Sequence, residues 1–153
     1  MIRLREEGRV RSIGVSNFTP AHLTRLMDET GVMPAVNQVE LHPHFPQEEQ
    51  RAFHEAHDIV TESWSPLGKQ RKITKEGVVA TIAKQHGVTP TQVVLRWHVE
   101  LGAVPIPKSG DPDRQRENMD VFGFALTAEE VASISELKSG RLWAGDPDRH
   151  QEF

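Results

Sequence analysis

Four short tracts hold the residues best suited to chemistry: Ile13-Gly14-Val15-Ser16-Asn17-Phe18, Asn37-Gln38-Val39-Glu40-Leu41-His42-Pro43, Trp64-Ser65-Pro66-Leu67-Gly68 and Ile106-Pro107-Lys108-Ser109. In each, an apolar run gives way to polar, turn-forming residues, as at the carboxyl end of a parallel strand, where α/β folds bind their ligands. Ser16, Asn17, Gln38, Trp64, Ser65, Lys108 and Ser109 fall at these ends. Serine, asparagine and glutamine offer short neutral donors and acceptors that suit a carboxamide, and an indole offers a flat face to an aromatic ring. That combination suits a nicotinamide. Taken singly, each residue is explained by turn capping; the agreement of four strand ends carries the functional reading.

Lys108, Ser109 and Arg114 lie where a strand gives way to a helix start, whose unpaired N–H groups and positive dipole end favour an anion. An ammonium beside a forked guanidinium fits a phosphate monoester, although both are equally read as solvated surface charges. One turn later, Glu117 and Asn118 are open to two readings, contacts to an adenine edge or exposed helix residues. The eight histidines invite a metal reading. His54-Glu55-Ala56-His57, however, is one residue short of H-E-x-x-H and reads as a polar helix face, and His42-Pro43-His44 reads as rim or loop with no third ligand. No metal site is expected. There is no Gly-rich phosphate loop of Rossmann or Walker type, and Gly14-Val15-Ser16 is not followed by the glycine of a nucleophile elbow, which argues against acyl-transfer hydrolysis.

The elements that must position these residues read as four strand-helix units. Strands are expected at 10–15, 35–41, 59–63 and 103–106. A first helix covers 1–7 and closes at Gly8, with nothing before Met1 to cap it, so the chain reads as starting inside a helix. Thr19-Pro20 opens a helix to Thr30, and others are expected at 47–56, 74–86, 90–101 and 112–118. Thr89-Pro90-Thr91-Gln92 and Thr127-Ala128-Glu129-Glu130 have capping-box spacing, the second opening a helix to about residue 137. Lys69-Gln70-Arg71-Lys72 is a basic stretch, and 139–153 reads as a surface loop after a domain of 1–138. Asp-Pro-Asp-Arg occurs at 111–114 and 146–149, which turn chemistry explains without a repeat architecture.

Composition bounds the rest. A closed (β/α)8 barrel takes about 250 residues, so 153 residues fit half of one. A net charge of −4 with interspersed charges supplies no basic stripe for a phosphate backbone, so nucleic acid is not an expected partner. No apolar run approaches the roughly 20 residues of a membrane span. Zero cysteines exclude disulfides and thiolate metal sites, and with no apolar leader the cytoplasm is the expected location.

The four tracts, extended to Gly8–Phe18, Pro34–Pro43, Ser63–Gly68 and Ile106–Ser109, with Arg114, Glu117 and Asn118 at fitting spacing, resemble the aldo-keto reductases over nearly the whole chain. The resemblance is strongest to the bacterial branch that includes 2,5-diketo-D-gluconate reductases. It implies the α/β fold of a (β/α)8 TIM barrel, this chain covering its last four β/α units, with NADPH lying across the carboxyl rim. Ser16, Asn17 and Gln38 would then hold the carboxamide, Trp64 would stack on the nicotinamide, and Ser65 and Leu67 would line the pyrophosphate path. Lys108, Ser109 and Arg114 would grip the 2'-phosphate, favouring NADPH over NADH, and Glu117 with Asn118 would hold the adenine.

The family's aspartate, tyrosine, lysine and histidine belong to the first four strands, so no catalytic residue is expected here. The chain has no tyrosine at all, and losing a positioned general acid costs about 10² to 10⁴ in rate. The chain alone is therefore expected not to reduce carbonyls. An open half-barrel exposes two strand edges and an inner apolar face, so it needs a second copy or an N-terminal half. The expectation is a truncated reading frame of a full-length enzyme, with Met1 an internal methionine; the alternative is a noncatalytic, self-associating NADPH-binding module.

Overall fold

Three helices begin on one device. Thr19, Thr89 and Thr127 sit extended before the first helical residue and accept from the amides of His22, Gln92 and Glu130, whose side chains bond back to the threonine amides. Each box satisfies two donors that a helix start leaves unpaired. Pro20 and Pro90 occupy the next position, where no intrahelical N–H is needed.

The computed structural model describes residues 1–69, 72–143 and 145–149. Its elements run α1 (Ile2–Glu6), β1 (Gly14–Ser16), α2 (Pro20–Thr30), β2 (Val36–Glu40), α3 (Glu48–Ala56), β3 (Val60–Trp64), α4 (Gly77–His86), α5 (Pro90–Glu100), β4 (Val104–Pro105), α6 (Pro112–Met119) and α7 (Ala128–Ser135), with a 3-10 turn at Ile73–Lys75 before α4. The strands form one parallel sheet in the order β1-β2-β3-β4. Two compact units divide the chain: Met1–Val39, Gln47–Glu62 and the described part of Ala144–Phe153 form the first, and Glu40–Pro46 with Ser63–Trp143 form the second.

In the first unit, β1 pairs with β2 in the register Gly14↔Val36, Val15↔Asn37 and Ser16↔Gln38. The backbones come so close that a Cβ on Gly14 would lie 2.9 Å from the Val36 carbonyl oxygen, so only glycine fits there. Leu23 of α2, Val39 of β2 and Ile59 before β3 are buried. In the second unit α5 is the core helix: Val93, Val94, Leu95 and Trp97 are all buried, and Trp97 Nε1 donates to Ser135 Oγ of α7 at 3.0 Å. Val79, Ile82 and Ala83 of α4 and Ile134 of α7 are buried in the same unit, with Leu41, Ile73, Ala103, Val121 and Leu126.

The structure departs from the expected elements in four places. Strand one starts at Gly14 rather than Val10, because pairing begins only where β2 offers Val36, while the Arg9 and Val10 amides bond back to the Leu4 carbonyl of α1. The helix expected from Thr74 is interrupted: Glu76 is extended, with φ −61° and ψ 135°, and separates the 3-10 turn from α4. Strand four is two residues long, since Pro105 and Pro107 have no N–H for a ladder, and Ile106 donates to the Ser63 carbonyl between them. The segment after residue 138 has no helix or strand among its described residues, yet the Ser139 and Gly140 amides donate to the His44 carbonyl at 2.9 and 2.8 Å. Gln70 and Arg71 of the basic stretch, and residues 144 and 150–153 of the tail, lie outside the described residues.

Gly68 has φ +65°, and a Cβ there would overlap the Ile73 side chain. Gly68→Ala is expected to lower the unfolding free energy by about 2 kcal/mol or more in urea titrations. Gly77→Ala, whose added Cβ meets nothing within 4 Å, should change it by about 0.5 kcal/mol or less.

Candidate functional site

Within the first unit the structure brings Ser16, Asn17 and Gln38 together. Ser16 Oγ and the Asn17 amide both donate to the Gln38 carbonyl, at 3.1 and 2.9 Å. Asn17 takes φ 59°, a left-handed turn that asparagine tolerates, so the chain leaves the sheet immediately past β1. The Gln38 Nε2 amide donates to Glu62 Oε2 at 2.6 Å, which turns its Oε1 acceptor away from Glu62. A carboxamide needs an acceptor for its NH2 and a donor for its carbonyl; Gln38 Oε1 and the rotatable, exposed Ser16 hydroxyl supply one each.

Behind that turn lies a buried polar cluster. Asn37, fully buried, points opposite to Gln38: its Nδ2 donates to the Phe18 carbonyl at 2.7 Å and to His54 Nε2 at 3.0 Å, while its Oδ1 accepts from the Phe18 amide at 3.4 Å. Gln50 Nε2 repeats the pattern, donating to the Phe18 carbonyl at 3.0 Å and to His54 Nε2 at 2.6 Å. With two N–H groups aimed at it, Nε2 must be the bare nitrogen, and Nδ1–H donates to Thr61 Oγ1 at 2.8 Å. Burial lowers the His54 pKa to about 4, in keeping with a neutral ring that has no acceptor facing Nε2.

The second unit holds the remaining candidates. Trp64 is partly exposed; Lys69 Nζ stands 5.9 Å from its ring centroid, and Trp143 meets it edge-on at 6.2 Å. A ring face that already attracts an ammonium also suits an oxidised, positively charged nicotinamide. Ser65 has φ 52° and starts the tight turn that Gly68 closes by donating to the Ser65 carbonyl at 2.8 Å; Leu67 within it is half-buried. His98 of α5 fixes this turn from behind, Nε2–H donating to the Pro66 carbonyl at 3.2 Å and Nδ1 accepting from Ser63 Oγ at 3.1 Å.

At α6 the structure corrects the picture of bare helix amides. Asp111 caps the helix, its Oδ1 accepting from the Asp113 and Arg114 amides at 2.8 and 3.3 Å. Those amides are occupied and the carboxylate offsets the dipole, so anion binding there falls to side chains. Lys108 is exposed, and Arg114, 75% exposed, approaches Asp111 only at 4.0 Å, so both charges are available. Ser109 Oγ accepts from the Asp111 amide at 3.1 Å. Glu117 accepts from the Thr89 hydroxyl and both Glu117 and Asn118 are partly buried, so the choice between adenine contact and exposed helix residue gains a third term, support of the α5 cap.

The model of the aldo/keto reductase family matches residues 1–139. The chain belongs to this family. It is 66% identical over its whole length to 2,5-diketo-D-gluconic acid reductase B of Corynebacterium sp., and 47% identical over 150 residues to methylglyoxal reductase DkgA of Escherichia coli K12, of which it covers 55% and 54%. It thus spans about half the length of these curated relatives. Among solved aldo-keto reductase structures, a Gox0644 variant in complex with NADPH superposes with a TM-score of 0.93 at 50% identity, over 99% of this chain and 56% of that one. A Bombyx mori aldo-keto reductase in complex with NADP gives 0.87 at 32% identity, over 94% and 50%. The fold is that of the aldo-keto reductase (β/α)8 barrels, of which this chain covers about half.

One expectation about the aldo-keto reductase histidines changes and another gains detail. His54 is no part of a polar surface: it alone of that tetrad is buried, while Glu55, Ala56 and His57 are exposed, His57 stacked on Phe53 with ring centroids 4.1 Å apart. His42 and His44 lie in the loop between β2 and α3, as expected, but are buried there: His42 Nε2 lies 3.1 Å from Glu40 and His44 Nε2 3.2 Å from Glu76. Among the described residues no group of three or more His, Asp or Glu is placed to hold a metal ion. Sequence reasoning missed Glu40, which is buried at the end of β2 and accepts from His42 and from the Leu142 and Trp143 amides. Burial raises its pKa, but these hydrogen bonds together outweigh burial and hold the carboxyl below its ordinary range.

His54 binds a proton more readily unfolded than folded, so its contribution to stability is complete above pH 6.5 and lost as pH falls from 6.5 to about 4. The loss is on the order of 3 kcal/mol. Glu40, lowered in the folded state, adds a further loss as pH drops below its ordinary range near 4.5. Urea titrations at pH 7, 5 and 4 should show the first component, and His54→Leu should abolish it.

Proposed function

We propose that the chain is the cofactor-binding half of an NADPH-dependent carbonyl reductase. The observation that carries the reading is the pairing of Ser16 with Gln38 across β1 and β2, which sets a hydroxyl at the end of β1 beside an amide on β2. Bound NADPH supplies a hydride for a carbonyl carbon. The work of this chain is to hold it: Ser16, Asn17 and Gln38 in the first unit orient the carboxamide. In the second unit Trp64 stacks on the nicotinamide, and Ser65 and Leu67 line the pyrophosphate path. Lys108, Ser109 and Arg114 pair with the 2'-phosphate, and Glu117 and Asn118 contact the adenine. Relatives crystallised with NADPH and with NADP support the choice of cofactor.

The proton that completes carbonyl reduction has no tyrosine to come from, since the chain contains none. The reading therefore places turnover in a complete barrel, with residues 1–138 as its C-terminal half, 139–153 as the loop that follows, and aldehydes, ketones or keto-sugars as the substrate class. It includes a cytoplasmic location, consistent with the absence, among the described residues, of a helix long and apolar enough to cross a membrane. The second reading, a noncatalytic NADPH-binding module that self-associates, is favoured by the exposed Val104 of β4 and Ile106 just past it, 49% and 40% accessible, which a second copy could cover.

Arg114→Ala should weaken NADPH about tenfold or more while leaving NADH nearly unchanged in calorimetric titrations. Equal losses for both would remove Arg114 from the 2'-phosphate. The chain alone should show no carbonyl-dependent NADPH oxidation; measurable turnover would contradict the assignment of the proton donor to the half of the barrel that this chain does not span.

A further inference from the structure

The Phe18 carbonyl accepts from two buried side-chain amides, and no element of the sheet ladder accounts for either. Asn37 and Gln50 each direct one N–H to this oxygen and the other to His54 Nε2, so a single imidazole nitrogen closes a box around a single carbonyl. His54 is 1% exposed, its Nε2 kept bare by the two amides and its Nδ1–H bonded to Thr61, and Asn37 Oδ1 returns a contact to the Phe18 amide. Both backbone polar groups of Phe18 are therefore held from the α3 side of β2, next to Asn17 with its left-handed φ of 59° and the exposed Ser16. Removing the Nε2 acceptor leaves two buried N–H groups without a partner, which frees both amides to seek other acceptors and releases Phe18.

We propose that His54, acting through Asn37 and Gln50, is a positioning residue that sets the Ser16–Phe18 turn and thereby the carboxamide end of the cofactor site. Its functional half rests on the carboxamide reading above; the geometry of the turn does not. Through the two amides His54 holds the carbonyl that follows Ser16 and Asn17.

The test compares the native chain with His54→Leu and His54→Gln, whose amide reaches to the depth of Nε2. Two ligands are titrated: NADPH, and adenosine 2',5'-bisphosphate, which has the phosphate end but no nicotinamide. Hydrogen exchange is followed in parallel at residues 16–18 and in α5. His54→Leu should weaken NADPH about tenfold and leave the bisphosphate within about twofold. Exchange should rise about tenfold or more at 16–18 with α5 unchanged, and His54→Gln should recover most of both effects. Equal weakening of the two ligands, or unchanged exchange at 16–18, would overturn the proposal. If the native chain binds neither ligand, the cofactor reading falls, and exchange alone decides whether His54 sets the turn. Should His54→Leu not fold, Thr61→Val, which removes only the acceptor of Nδ1–H, should give the same pattern at about threefold; no change in it would count against the proposal.

Discussion

Where a strand ends, backbone groups leave the sheet ladder, and after β1 and β3 the structure depends on buried polar side chains to receive them. After β1, Asn37 and Gln50 take the Phe18 carbonyl. After β2, the buried Glu40 takes the Leu142 and Trp143 amides. After β3, His98 bonds Ser63 and the Pro66 carbonyl. After β4, Ser109 and Asp111 take the amides that open α6. An unpaired buried backbone group costs about 1 to 3 kcal/mol, so the buried arrangements among these decide where the chain can turn. The turns in turn decide which residues stand at the strand ends.

This division of labour separates two populations of polar residues. Ser16, Lys108 and Arg114 are exposed and lightly tied, as a group that must exchange protein partners for a ligand has to be. Asn37, His54, Glu40 and His98 are at most 1% exposed and heavily bonded, and they give the exposed set its geometry. His54 holds one tautomer because its Nε2 partners are one-sided, both being amide N–H groups. A neutral ring suits that place, and burial enforces it.

What was legible in the sequence is what a few consecutive residues decide. Thr19-Pro20, Thr89-Pro90 and Thr127 cap their helices through bonds within three positions, and the structure has all three. The late start of β1 and the break before α4 were not legible, since one waits on pairing with Val36 and the other on Ile73, fully buried beneath Gly68. Residue types at the strand ends could be read because turns announce themselves. The supports behind them could not: His54 looks the same in a polar surface and in a buried box, and its partners Asn37 and Thr61 lie 17 and 7 residues away. The same holds for Glu40, whose partners Leu142 and Trp143 are 102 and 103 residues distant.

The central claim is that the strand-end residues of this chain bind NADPH. Amide chemical-shift mapping of the labelled chain during an NADPH titration tests it most directly. The account predicts saturable shifts at Ser16–Phe18 and Gln38, at the Trp64 indole, and from Lys108 to Arg114, all following one binding curve. Absence of saturation, or shifts confined to residues outside these strand ends, would contradict it.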